Sequence, residues 1–337
     1  MRVLIVRLSA MGDIVHALPL AAGAAGAGHR VGWVVERPFA SLLRDNPNVH
    51  ELIVADSKKI RRRFFSPVGI GALRSLRASM RAFAADVILD PQGNEKSFWV
   101  SRLGAAPRLV LDDTRFRRNW TRRFSALRVE PPVSARHVCE KTISLLRAIG
   151  VAAASPAPDA RYLLGASDRA AEEFLRLVPR PFALYHPGAG WRDKAWGEDR
   201  FAALASAVRD ELGIHPVVSW GPGDETRSEE LARKSGASRI PALDFPGLAK
   251  VIAGASFFAA GDTGPLHLAD ALGVRTVGLY GPTSPARTGP FRKNGPVFFS
   301  GLPCSPCNAR FPETKRCLRE ISPSAVLSAL DRRELAT

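Results

Sequence analysis

Two aspartates stand in turns of the kind that carry chemistry in a chain of alternating strands and helices. Asp262 lies in Gly261-Asp262-Thr263-Gly264, between the apolar run Ser256 to Ala260 and a helix bearing Leu266, Leu268, Ala269, Ala271 and Leu272. The unpaired backbone N–H groups at such a helix start, together with the Thr263 hydroxyl, make an anion site. A carboxylate repels an anion, so Asp262 must bond something else, such as a sugar hydroxyl or a backbone N–H. An ordinary capping role is the competing reading. Asp13 has the same placement in Ser9-Ala10-Met11-Gly12-Asp13, after the apolar run Arg2 to Leu8. That turn has one glycine, which excludes the GxGxxG fingerprint and the Walker loop. Three more polar loops follow apolar runs: Pro91 to Lys96, Pro187 to Trp196, and Gly221 to Glu225.

The elements that must hold these turns repeat one pattern. In the first half, strands are expected at Arg2–Leu8, Arg30–Val35, Glu51–Val54 and Asp86–Asp90. Between them come a helix limited or kinked by Pro19, a short helix from Phe39 to Arg44, and an amphipathic helix from Leu73 to Phe83. A helix from His137 to Ile149 closes the half, and Ala152 to Asp159 reads as a linker. In the second half, Ser167 caps a helix to Leu177, and strands are expected at Phe182–His186, Pro216–Trp220, near Ile240, and at Thr276–Tyr280. Helices from Phe201 to Leu212, Thr226 to Lys234 and Leu248 to Ile252 lie between them. The fold class is therefore α/β. Two Rossmann-like, doubly wound domains, 1–155 and 160–337, are expected to face each other across a central cleft, with the last helix able to return to the N-terminal domain.

Composition narrows the function. The 337 residues are 46% hydrophobic and 24% charged, as in a globular protein. No apolar run reaches bilayer length, and the first strand begins so early that no signal peptide is expected. Four cysteines make no disulfide framework, which favours the cytosol. Cys304, Cys307 and Cys317 lack a fourth ligand nearby and read as free thiols. The net charge of +16 is uneven: residues 1–160 carry 25 Lys and Arg against 13 Asp and Glu, and residues 161–337 carry 23 against 19. A polyanionic partner should therefore meet the first half. Lys58-Lys59-Ile60-Arg61-Arg62-Arg63 reads as a solvated loop with apolar anchors in Phe64 and Phe65, and Arg115, Arg117, Arg118, Arg122 and Arg123 form a second cationic cluster. No zinc-finger, RRM-like or helix-turn-helix pattern points to nucleic acid.

Together, MRVLIVRLSAMGDIVHALPL, HPGAGWRDKAW, WGPGDE and GDTGPLHLADALGVRTVGLYGPTSP resemble the bacterial lipopolysaccharide heptosyltransferases, family 9 glycosyltransferases of the GT-B fold. The opening segment and DPQGNEKS resemble the heptosyltransferase I branch, whereas Cys304-Ser305-Pro306-Cys307 with Cys317 resembles other family 9 branches. The resemblance implies an inverting transfer from ADP-heptose, bound by the C-terminal domain, onto Kdo of Kdo-lipid A, bound by the N-terminal one. It implies Asp13 as general base and Lys194 beside the departing diphosphate. Gly188, Ala189, Gly190, Asp262, Thr263, Gly264 and His267 match the donor loops, Glu225 the carboxylate on the ribose, and Leu243 the residue beside adenine. Arg61, Arg62, Arg63, Gln92, Lys96 and Arg115 are the expected acceptor contacts. No metal or cofactor is implied, and the expected location is the inner face of the inner membrane, peripherally bound. A heptosyltransferase II or III type, another nucleotide-sugar donor, a UDP-sugar epimerase and a non-catalytic basic protein are the alternatives.

Overall fold

The computed structural model describes residues 1–63, 65–113, 127–152, 154–188, 190, 194–307 and 316–330. The chain divides into two compact units, Met1–Tyr162 and Leu163–Thr337. In the first unit, β1 (Arg2–Val6), β2 (Arg30–Glu36), β3 (Glu51–Ala55), β4 (Val87–Asp90), β5 (Arg108–Leu111) and β6 (Leu127–Val129) form one sheet in the order β3-β2-β1-β4-β5-β6. Every pairing is parallel. The second unit repeats this with β7 (Phe182–His186), β8 (His215–Val218), β9 (Ser238–Arg239), β10 (Phe257–Gly261), β11 (Thr276–Tyr280) and β12 (Val297–Phe299), again all parallel, in the order β12-β11-β10-β7-β8-β9. The central strands are almost continuously apolar because helices cover both faces of such sheets. In β7, β10 and β11 every residue is buried.

This strand order fixes where chemistry can occur. The chain leaves β1 toward β3 and later leaves β4 toward β6, so the order reverses between β1 and β4. In the second unit it reverses between β7 and β10. Crevices open beyond the carboxyl ends of strands at such reversals. The turn holding Asp13 follows β1, and the loop holding Gln92 follows β4. Lys194 follows β7, and Asp262 follows β10.

Several expectations change in detail. The N-terminal helix is two helices, Met11–Val15 and Leu18–Gly26, with Pro19 in the first turn of the second. The run Lys58 to Arg63 is not a loop. Ser57–Arg62 is helical, Asp56 Oδ1 accepts from Lys59 N at 3.0 Å, and Ile60 packs against a core that includes Leu76 and Met80. One apolar residue among five cations is enough to seat a short helix. Asp168, not Ser167, caps Arg169–Leu177 by accepting from Ala171 N at 2.9 Å. The last described helix, Pro323–Ser328, packs within the second unit through Val326. There Trp196 Nε1 donates to Ile321 O at 3.0 Å, so the burial of Trp196 explains the attachment.

Phe257 on β10 is fully buried, edge-on to Tyr185 of β7 with ring centroids 5.8 Å apart. Phe257→Ala should cost about 3–5 kcal/mol in chemical denaturation. A loss under about 1 kcal/mol would mean that the β7–β10 core closes over the cavity.

Candidate active site

In the second unit the site is built around a buried carboxylate. Asp262 is 8% exposed. Lys194 Nζ donates to its Oδ2 at 2.6 Å, and His267 Nε2 lies 3.1 Å from its Oδ1. An ionised carboxylate only accepts, so the His267 proton sits on Nε2. Burial alone would raise the Asp262 pKa, but the His267 ring and the Lys194 ammonium outweigh it and hold the group well below the usual carboxylate range. Lys194 reaches this position because β10 ends in glycine. A Cβ on Gly261 would lie 2.8 Å from the Lys194 carbonyl oxygen.

Thr263 is the N-cap of helix Gly264–Leu272, yet its side chain caps nothing. Its Oγ1 is buried with no hydrogen-bond partner among the described residues. Thr263 and Gly264 wall a cavity of about 1050 Å³, together with His186, Arg200, Asp224 and Arg227. The first turns of helices Glu198–Leu212, Glu225–Ser235 and Gly264–Leu272 all contribute to that wall. Three positive helix ends, the arginines Arg200, Arg227 and Arg319 and a spare hydroxyl favour an anion with several acceptor oxygens, while Glu198 and Asp224 in the same wall pair with Arg227. Burial raises the Asp224 pKa despite Arg227, and a Cβ on Gly188 would fall 2.1 Å from Asp224 Oδ2. Only glycine lets the two loops approach so closely.

The first unit places a second carboxylate differently. Asp13 is half-exposed, and its Oδ1 lies 2.7 Å from Nη2 of Arg7, which is buried. Arg7 is itself held: Nη1 donates to Pro91 O at 3.2 Å, and its carbonyl accepts from Trp33 Nε1 at 3.1 Å. Next along the chain, Leu8 N donates to Gln92 Oε1 at 2.9 Å, and Leu8 O accepts from Glu36 N at 3.1 Å. Lys96 Nζ then meets the buried Glu36 Oε1 at 2.9 Å.

Of the residues singled out from sequence, Lys194, Asp262 and His267 thus share one cluster, and Gly190, Thr263 and Gly264 line the cavity. Glu225 is exposed at its helix start, with Oε2 accepting from Gly223 N at 2.9 Å. Leu243 is half-buried just before the cap of helix Phe245–Ala253. Gln92 is buried as a brace on Leu8, and Arg61, Arg62 and Arg63 are exposed. Ala189 and Arg115 lie outside the described residues. Sequence reasoning missed Arg7, Glu36, Asp224 and Arg227. The signal for Arg7 was a cation ending an otherwise apolar strand.

His186, at the end of β7, is buried with Nδ1 3.1 Å from Ser219 Oγ. Burial depresses its pKa from 6.5 to about 4. The unfolded chain therefore binds this proton first, and stability is complete above pH 6.5 and declines as pH falls toward 4. The loss should total about 3 kcal/mol. His186→Gln should remove that part of the slope in denaturation measured across the window, and an unchanged slope would assign it elsewhere.

A family profile described as Glycosyltransferase family 9 (heptosyltransferase) matches residues 73–316. Lipopolysaccharide heptosyltransferase 1 of Pseudomonas aeruginosa is 34% identical over 313 residues, covering 91% of this chain and 86% of that protein. The Escherichia coli K12 protein of the same name is 30% identical over 302 residues, 87% of this chain and 92% of its own. A solved structure of E. coli heptosyltransferase WaaC with ADP superposes with a TM-score of 0.77 at 28% identity, covering 97% of this chain and 98% of that one. With two parallel Rossmann-like units of the GT-B type, this chain belongs to glycosyltransferase family 9, whose members here are enzymes of lipopolysaccharide heptosyl transfer.

Proposed function

We propose that this chain transfers heptose from ADP-L-glycero-D-manno-heptose to Kdo of the lipopolysaccharide inner core, at the inner face of the inner membrane. The observation that carries the donor reading is the cavity in the second unit. Three helix starts and the unused Thr263 hydroxyl meet there, beside a lysine held on a buried carboxylate. A diphosphate supplies the charge and the acceptor oxygens that this wall asks for. The relative solved with ADP supports adenine as the base. Leu243 then lies against adenine and Glu225 bonds the ribose.

The chemistry is a single displacement. An acceptor hydroxyl gives its proton to Asp13 as its oxygen bonds the anomeric carbon, and the bond from that carbon to the ADP oxygen breaks from the opposite side. Arg7 fixes Oδ1 of Asp13, and Oδ2, which accepts only a long 3.4 Å bond from Ala10 N on a half-exposed carboxylate, takes the proton. Negative charge then grows on ADP, where Lys194 and the helix starts stabilise it. Arg61, Arg62, Arg63 and Lys96 meet the acidic groups of the acceptor. Gln92 contributes by fixing the turn that carries Asp13.

ADP should raise the melting temperature and UDP should not. Equal protection by both, or by neither, removes the donor assignment. Asp13→Asn keeps the shape and should lose about 10²–10⁴ in kcat with ADP affinity intact. An active Asp13→Asn enzyme would leave Asp13 as a capping carboxylate. Lys194→Ala should cost on the order of 10²-fold or more in kcat. It should also lower the melting temperature, because Asp262 is left buried without its cation.

A further inference from the structure

Residues 57–85 contain eight lysines and arginines and no aspartate or glutamate. Their fold sets those charges on one exposed helical hairpin. Helix Ser57–Arg62 is seated by Ile60, so Lys58, Lys59, Arg61 and Arg62 are exposed around it. Helix Pro67–Ala82 buries Gly69, Leu76 and Met80, with Phe83 just beyond its end. The neighbouring row, Ile70, Arg74, Arg77 and Arg81, has the spacing of a single helical face and is exposed throughout. Between the helices the chain makes a hydrogen-bonded turn. Arg63 O accepts from Ser66 N at 2.9 Å and from Ser66 Oγ at 2.8 Å, and Ser66 Oγ accepts from Gly69 N at 3.3 Å. At the tip of this turn Phe65 is 93% exposed, with Val68 at 42% and Ile70 at 40% just after it.

A large aromatic held out on a built turn, with aliphatic side chains beside it and cations around it, matches the interface of an anionic bilayer. The apolar groups enter the region of the acyl boundary, roughly 5–10 Å deep, and the cations stay among the headgroups. A nucleic acid would use the cations but gain little from Phe65, Val68 and Ile70. We propose that this hairpin is a docking face for an anionic lipid surface, inserting Phe65, Val68 and Ile70 and pairing Lys58, Arg74, Arg77 and Arg81 with lipid phosphates. It deepens the placement at the inner face of the membrane proposed above and depends on the identity of neither donor nor acceptor.

The test is sedimentation of the full chain with vesicles of phosphatidylcholine alone, or of about three parts phosphatidylcholine to one part phosphatidylglycerol. Binding should require the anionic lipid and weaken as salt rises. Phe65→Ser changes no charge, sits at an exposed turn, and should weaken partition on the order of tenfold, with an unchanged melting temperature. The triple change Arg74→Gln, Arg77→Gln, Arg81→Gln should weaken it at least as much. Absence of wild-type binding to anionic vesicles overturns the proposal. So does equal binding to neutral ones, or a Phe65→Ser protein that binds like the wild type, which would reduce the hairpin to a general polyanion contact. Because the vesicles contain neither donor nor Kdo, the outcome is separate from the transfer reading. ADP protection and transfer to a deacylated, water-soluble acceptor report on that reading and should be normal in both variants.

Discussion

The second unit depends on one buried charge. Asp262 sits at the carboxyl end of β10, where a free carboxylate would be costly to bury and would repel any anion at the helix start beside it. Lys194 and His267 each take one of its oxygens. The lysine comes from the loop after β7 and the histidine from the helix after β10, so the clasp ties together the two strand ends at which the sheet order reverses. This resolves the oddity of an aspartate at an anion site. Once its charge is answered by its own partners, the backbone N–H groups and Thr263 are left for a ligand. The clasp is thus a structural brace and an electrostatic setting at once.

The two aspartates look equivalent as sequence, each just past a strand and at a helix start, but the structure gives them opposite settings. Asp262 has a side chain 6% exposed, whereas that of Asp13 is 50% exposed. The burial is exchanged between partners: in the first unit the guanidinium of Arg7 is the enclosed member, held by Pro91 and by the backbone contact with Trp33. A sequestered carboxylate with both oxygens engaged suits a fixed charge. A half-exposed one, held by Arg7 on Oδ1 and only at 3.4 Å by Ala10 N on Oδ2, suits proton exchange with a substrate.

What was legible in the chain follows from where side-chain pattern decides structure. Thr276–Tyr280 and Phe182–His186 were read to the residue because fully buried parallel strands are continuous apolar runs bounded by turns. The turn after β10 was legible for the same reason. The strands Arg108–Leu111, Leu127–Val129 and Val297–Phe299 were not, since three or four residues carry no period and form only because a neighbouring strand, β4, β5 or β11, accepts them. The Ser57–Arg62 helix was hidden by its charges, as its one buried contact, Ile60, is visible only against Leu76 and Met80. Asp224 and Arg227 escaped because cavity walls form from helix starts far apart in sequence.

The backbone of residue 8 shows how the turn after β1 is braced from within. Its N–H goes to Gln92 and its C=O to Glu36, so three strands, β1, β2 and β4, are pinned at the level of the Asp13 turn. Glu36 then holds Lys96, which keeps a cation close to the same crevice. Gln92, expected from its loop to face a substrate, is an internal strut, and the reason is physical. Residue 8 has passed the end of the β1 ladder, and a buried amide there without a partner would cost about 1–3 kcal/mol. A side-chain carbonyl from the neighbouring strand end is the nearest acceptor that can follow it. The residues that face solvent around this turn, Asp13 above all, are positioned by those that do not.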